Sequence, residues 1–272
     1  MNEFNLNSIS PIDGRYSNKT EALSQYFSEK ALIFYRLKVE IEYFISLCKT
    51  GIPQLKKFES KKFNDLRNIY LDFSNDDAIE IKNIEKTTNH DVKAVEYFIK
   101  QKFEILGISE FKEFIHFGLT SQDINNTAIP LSIKDFITNV YLPKITEVIK
   151  AIENKNEELK HITIIARTHG QPASPTKLGK EFKVFSTRIN EQVKTLKNIP
   201  NSAKFAGAVG NFNAHKVAYP EIDWKKFGEN FIENELGLNY SFPTTQIEHY
   251  DSFAALCDNC RRINNILLDM CV

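Results

Sequence analysis

An all-α fold is predicted for this chain by three observations. Glycine and proline are scarce, ten and nine in 272 residues, and they fall mostly between long segments. Those segments carry apolar residues at intervals of three and four, the period of a half-buried helix. The composition, 42% hydrophobic with 12% aromatic residues, supplies enough apolar surface to bury a core at this length.

The first helix is expected from Ala22 to Lys49, where Leu23, Phe27, Phe34, Leu37, Ile41, Phe44 and Cys48 form one stripe and Gly51 and Pro53 end it. Ser74 reads as the N-cap of the next, with Asp76 and Asp77 at the positive end of the helix dipole and Ile81 and Ile84 opening the buried face. A new stripe, Val92, Val95, Phe98 and Ile99, resumes after "KTTNHD", so those six residues interrupt or join two helices. After Pro130 the series Ile133, Ile137, Val140, Ile145, Val148 and Ile152 marks a long helix, with a kink expected at Pro143. Leu178, Phe182, Phe185, Ile189, Val193 and Leu196 keep the same spacing up to Pro200. The last stripe, Phe253, Leu256, Cys260, Ile263, Leu267 and Met270, reaches Val272 with no capping glycine and no basic last turn, and reads as a helix cut short by the end of the chain. Long helices of this kind assemble into bundles, and stripes left exposed on separate helices predict self-association.

Thirty-five basic residues balance thirty-five acidic ones. With no net field, charge suggests neither a nucleic acid nor a membrane surface as partner, and a small molecule is the expected ligand. No run approaches the roughly 18 apolar residues of a membrane span, and the opening "MNEFNLNSIS" has neither the basic start nor the apolar stretch of a leader. A cytoplasmic protein is expected. Cys48, Cys257, Cys260 and Cys271 show no framework spacing and are expected as free thiols.

Five polar clusters lie between the stripes: "SPIDGRY" (Ser10 to Tyr16), "TTNHDVKAVEYF" (Thr87 to Phe98), "HFGLTSQDINN" (His116 to Asn126), "RTHGQPA" (Arg167 to Ala173) and "TTQIEHYD" (Thr244 to Asp251). In the first, Gly14 permits a tight turn that projects Arg15, a bidentate binder of phosphate or carboxylate, and Tyr16. A plain surface arginine on a pinned loop fits as well. In the second, Asn89, His90 and Asp91 place an amide, an imidazole and a carboxylate in succession; Asp91 can fix the tautomer of His90, although adjacent helical residues point apart. Capping roles for Asn89 and Asp91 are the plainer account. In the third, Thr120 and Ser121 before Asp123 suit a helix N-cap, and a helix N-terminus with exposed hydroxyls is also an anion site. In the fourth, Gly170 and Pro172 hold His169 out of helical geometry on a loop between rigid elements, where imidazole suits proton transfer near neutrality. A turn histidine bonded to backbone fits the same residues. In the fifth, Thr244, Thr245 and Gln246 precede Glu248 and His249. These two with Cys257 and Cys260 invite a zinc reading, which is set aside because the cysteines lie on or beside an apolar stripe and no second ligand pair accompanies them.

In this order and at nearly these intervals the clusters resemble the adenylosuccinate lyase family, in its PurB-type branch, within the fumarase/aspartase superfamily. The resemblance is carried by "SPIDGRY", "EKTTNHDVKAVEYF", "EFIHFGLTSQDINN", "RTHGQPASP" with "GKE", "GAVGNFNAH" with "YPEIDW", and "TTQIE", which span the chain. The "RTHGQPA" type is shared across the superfamily, and the "TTNHDVKAVEYF" block narrows the choice. The resemblance implies an N-terminal helical domain over residues 1–110 and, over 111–272, the first part of a central long-helix bundle that assembles into a homotetramer. It implies β-elimination of fumarate from adenylosuccinate, giving AMP, and from the succinylated carboxamide ribotide, with no cofactor and no metal. By motif, His169 matches the general acid; Arg15 and Tyr16 match phosphate and nucleotide contacts; Asn89, His90 and Asp91 match substrate contacts; Thr120 and Ser121 match carboxylate-binding hydroxyls; Gln246 matches another substrate contact. Gln122 occupies a position that the family varies. One departure stands out: the family's base, a serine on a loop containing "MPxKxNP", has no counterpart in this sequence. The chain is therefore expected to be the N-terminal part of the enzyme and inactive alone. A noncatalytic helical nucleotide binder and another lyase of the superfamily are the competing readings.

Overall fold

The computed structural model describes residues 7–272; residues 1–6, the first part of the stretch read for a leader, lie outside it. The protein is mostly helical, as the periodicity predicts. Its described residues divide into two compact units, those up to 136 with 201–249 and residues 137–200 with 250–272.

In the first unit, two short helical turns, Ser17–Thr20 and Ser24–Phe27, precede helix α1, Glu29–Cys48. The single helix expected from Ala22 is broken at Ser28, which is extended and whose hydroxyl accepts the Ala31 N–H at 3.1 Å, starting a fresh helix. α1 is more than amphipathic: from Tyr35 to Leu47 every residue but Lys38 is buried, because Tyr35, Val39, Tyr43, Ile45 and Leu47 fill the positions between those of the expected stripe. A helix apolar nearly all round is the centre of a core.

Around it pack α2 (Phe63–Leu71), α3 (Asn75–Thr88), α4 (Asp91–Ile105) and α5 (Ser121–Phe136). α2, too short to show a clear stripe in the sequence, buries Leu66 and Tyr70 and ties itself to α1 through Arg67 and Tyr70, both bonded to the Glu42 carboxylate at 2.7–2.9 Å. Ser74 caps α3 as expected, in a reciprocal capping box with Asp77. "KTTNHD" joins two helices: Asn89 takes a left-handed conformation (φ 49°) and His90 an extended one before α4 begins. Pro130 lies inside α5, whose start nine positions earlier matches the N-cap reading of Thr120 and Ser121 before Asp123, whereas the apolar series taken alone begins only after the proline. The segment 201–249 adds an aromatic layer in which Tyr43, Phe205 and Phe231 pack edge to face or tilted, with ring centres 4.9–5.8 Å apart.

In the second unit a π-helical turn, Ile137–Tyr141, precedes α6, Leu142–Leu159. The irregularity expected at Pro143 falls in this turn. Pro143 itself sits in the first turn of α6, where its missing N–H costs nothing. α7 (Leu178–Lys197) and α8 (Asp251–Cys271) complete a helical trio. Ile145 and Ile152 on α6, Ile189, Val193 and Leu196 on α7, and Leu256 and Ile263 on α8 are buried as the stripes predict, whereas Ile149 and Ile266 are buried in place of Val148 and Leu267, one position away, and Phe253 is exposed. Between α6 and α7 the chain departs from the all-α expectation. Strands β1 (Thr163–Thr168) and β2 (Gln171–Lys177) form an antiparallel hairpin in which Thr168 faces Gln171. Among the described residues no helix is long and apolar enough to cross a membrane, and the four cysteines are free thiols.

Candidate functional site

His90 is the N-cap of α4. Its Nδ1 accepts the Lys93 N–H at 3.2 Å, which leaves the ring proton on Nε2, and Nε2 donates to Ser121 Oγ at 3.1 Å. The start of α4 and the start of α5 thus meet through one imidazole. Asp91, the next residue, lies 3.6 Å from His90 Nδ1, too far for a hydrogen bond. Its carboxylate turns instead to Arg36, a buried residue of α1, with Oδ2 2.6 Å from Nη2. Burial pushes the Asp91 pKa up, but the Arg36 charge and the Val92 N–H outweigh it and hold the carboxyl below its ordinary value. Arg36 Nε also donates to Asn125 on α5 at 2.9 Å, so one guanidinium fixes both helices that carry the cluster.

Thr120 and Ser121 stand half-exposed at the N-terminus of α5, the end of a helix whose dipole favours an anion. The loop leading to them is held from below. His116, in a left-handed conformation, bonds Glu40 of α1 at 2.5 Å; burial lowers its pKa, but the Glu40 carboxylate more than offsets this and raises it overall. Gly118 (φ 68°) rests on His215, whose ring would lie 2.7–2.8 Å from any Cβ added there. His215 is fully buried, with Nε2 2.9 Å from the Tyr43 hydroxyl, which donates to the Phe117 carbonyl at 2.6 Å. Burial pushes the His215 pKa down to about 4.

Gln246 is exposed on a segment tied to α5 by the Glu248 N–H, which donates to Asn126 Oδ1 at 2.9 Å. Arg15 and Tyr16 are exposed in a turn-rich stretch, the guanidinium 5.4 Å from the phenol ring centre. No hydrogen bond or ion pair given by the structure joins this pair to the His90 cluster. His169 belongs to the second unit, where with Gly170 it forms the two-residue turn of the hairpin, at φ 50° and 75°. Both positive angles match the type I′ turn that suits the twist of a hairpin. His169 is exposed, and no hydrogen bond within the unit holds its ring.

The structure thus brings together His90, Asp91 and Ser121, places Thr120 beside them, ties in Asn125 of the same polar cluster, and adds Arg36, which the sequence reading missed. Its signal was faint: an arginine four residues before Glu40 inside a largely apolar helix. Among the described residues no group of three or more His, Cys, Asp or Glu is placed to hold a metal ion.

A family model described as Lyase matches residues 14–272. The adenylosuccinate lyase of Dictyostelium discoideum is 52% identical over 98% of this chain and 59% of its own length. Those of Legionella pneumophila (strain Corby) and Escherichia coli (strain K12) are 48% and 42% identical over 97% of the chain and 58% of theirs. The chain therefore spans somewhat more than half the length of the curated relatives it matches. Among solved structures, a fumarate lyase from Mesorhizobium sp. superposes with a TM-score of 0.73 at 18% identity, covering 92% of this chain and 55% of that one. A β-carboxy-cis,cis-muconate cycloisomerase from Acinetobacter calcoaceticus gives 0.69 at 18% identity, covering 92% and 56%. Those two likenesses concern the fold. By the family match and the identities together, the chain belongs to the lyase family.

Proposed function

We propose that the complete protein is an adenylosuccinate lyase of purine nucleotide synthesis. The observation that carries this is the junction of α4 and α5, where the His90 ring meets the Ser121 hydroxyl at a helix N-terminus with Thr120 as the preceding residue, in a chain 42–52% identical to relatives of that name. In this reading one carboxylate of the succinyl group binds there. A base takes the proton from the carbon next to a carboxylate, the electron pair is held as an aci-carboxylate, the C–N bond breaks as the C=C bond of fumarate forms, and the nitrogen receives a proton from His169. The products are AMP from adenylosuccinate and the aminoimidazole carboxamide ribotide from its succinylated precursor.

Exposure of His169 on a rigid two-residue turn suits an acid that must reach a leaving group. Arg15 and Tyr16 take the phosphate and nucleotide, Asn89 and Gln246 add substrate contacts, and Asp91 contributes by way of Arg36. The base is assigned to a serine outside this sequence. The chain alone is inactive in this reading, and the complete protein is a cytoplasmic homotetramer whose domains divide near residue 110. No cofactor or metal is called for.

The test is the absorbance change on adding adenylosuccinate to the complete protein, with argininosuccinate and aspartate as rivals. Turnover of a rival in preference to adenylosuccinate, or of neither, defeats the assignment; turnover by this chain alone defeats the claim of inactivity.

A further inference from the structure

The segment "KFAGAVGNFNAH" (Lys204 to His215) holds one of the least exposed charges in the molecule, and the reaction outlined above gives it no task. Lys204 and Asp123 have fully buried side chains, with Nζ 2.7 Å from Oδ1. Asp123 is the third residue of α5. Its Oδ2 accepts the Thr120 N–H at 2.9 Å, while Oδ1 also accepts the Ala206 and Gly207 N–H groups at 2.9 and 3.1 Å. Lys204 in turn donates to the Gly207 carbonyl at 2.6 Å. The same segment supplies His215, the ring on which Gly118 rests. The loop that presents Thr120 and Ser121 is thus bolted on both sides to one stretch of chain.

Charge makes this more than a brace. A carboxylate in the first turn of a helix is itself an anion at an anion-binding end, and it competes with any ligand carboxylate for the same dipole. Lys204 cancels it. Burial disfavours the lysine's charged form while Asp123 favours it, so each charge depends on the other for its place in the interior.

We infer that Asp123 and Lys204 are positioning residues for the Thr120–Ser121 anion site, and that the neutrality of this buried pair sets how tightly the site holds a carboxylate. Lys204→Met leaves one negative charge within the first turn below the site. At the separations of a single helical turn and a protein-like dielectric, the repulsion corresponds to about a ten- to hundred-fold weaker hold on an anion. The inference rests on the function proposed above.

The experiment compares the wild-type complete protein with K204M, D123N and the double variant K204M/D123N. It reads kcat and KM for adenylosuccinate, and fumarate affinity by calorimetry. K204M should raise KM about ten- to a hundred-fold with kcat nearly unchanged, and weaken fumarate to match. The double variant, neutral again, should recover both to within a few fold. D123N should bind fumarate at least as tightly as wild type. If K204M or D123N does not fold, the double variant still decides, since it leaves no buried charge of either sign unpaired. Weak fumarate binding by the double variant or by D123N overturns the inference in favour of simple packing, as does a loss confined to kcat. An inactive wild type removes the proposed function, whereas an active wild type with the wrong order of variants removes only this inference.

Discussion

The first unit holds its candidate site residues from within, and the second presents its candidate, His169, on an exposed turn. His90 bonds Ser121, and the neighbouring Asp91 bonds Arg36, which in turn holds Asn125, so the two hydrogen-bonded sets share the starts of α4 and α5 and are anchored on a buried helix, above a continuous apolar cluster drawn from residues 33–131 and 203–238. His169 sits at the tip of a hairpin whose residues are almost all exposed, beside three helices that bury short rows of isoleucine, leucine and valine. The difference separates two ways of fixing a group. In one, side-chain partners set the ring's position and tautomer; in the other, backbone geometry sets only where the ring begins.

Stability measurements sharpen that contrast. The largest effect is expected in the packed unit, where Phe205→Ala removes a fully buried ring and should cost about 3–5 kcal/mol by urea unfolding. A cost below about 1 kcal/mol would show a core looser than its burial implies.

Next comes acid. His215 is neutral in the fold with its pKa lowered to about 4 from 6.5, so its contribution is complete above pH 6.5 and is lost as pH falls towards 4, in all about 3 kcal/mol. His116, raised instead, works in the opposite sense: its contribution is complete below its unfolded value and fades as pH rises through its folded one. Hydrogen exchange between pH 7 and 4.5 should show protection falling in α1 and the 201–249 segment and holding in α6 and α7. A uniform fall across both units would break the comparison.

The smallest effect on stability belongs to the residue expected to matter most for rate. His169→Gln should change unfolding by no more than about 0.5 kcal/mol, because the exposed ring makes no bond within its unit. In the complete protein it should lower turnover about a hundred- to ten-thousand-fold. A large loss of stability would mean that the ring is structural.

What the sequence made legible follows the same line. Periodicity found the long helices because burying one face leaves a repeat of three and four, and Ser74 announced its helix through a cap that needs only local residues. Pro130 and Pro143 misled, since a proline is tolerated inside a helix that is otherwise well held and is at home in a first turn. The hairpin around His169 escaped because its strands are exposed and carry Pro172 and Pro175, which erase alternation; the β-branched run Thr163, Ile164, Ile165 and the turn pair His169–Gly170 were the available signals. In the site, chemically marked loop residues were visible one by one. Arg36, Lys204 and His215 were not, because their importance comes from partners 89, 81 and 172 positions away.

His90 starts a helix with one ring nitrogen and faces Ser121 with the other. Variant surveys that score abundance alone will therefore misfile it. Alanine there removes a cap worth about 1 kcal/mol, so any loss of activity that follows from the proposed substrate contact would arrive together with loss of protein and be blamed on folding. Asparagine, a strong cap with no imidazole, separates the two causes, and makes position 90 a place where the choice of replacement decides what the survey learns.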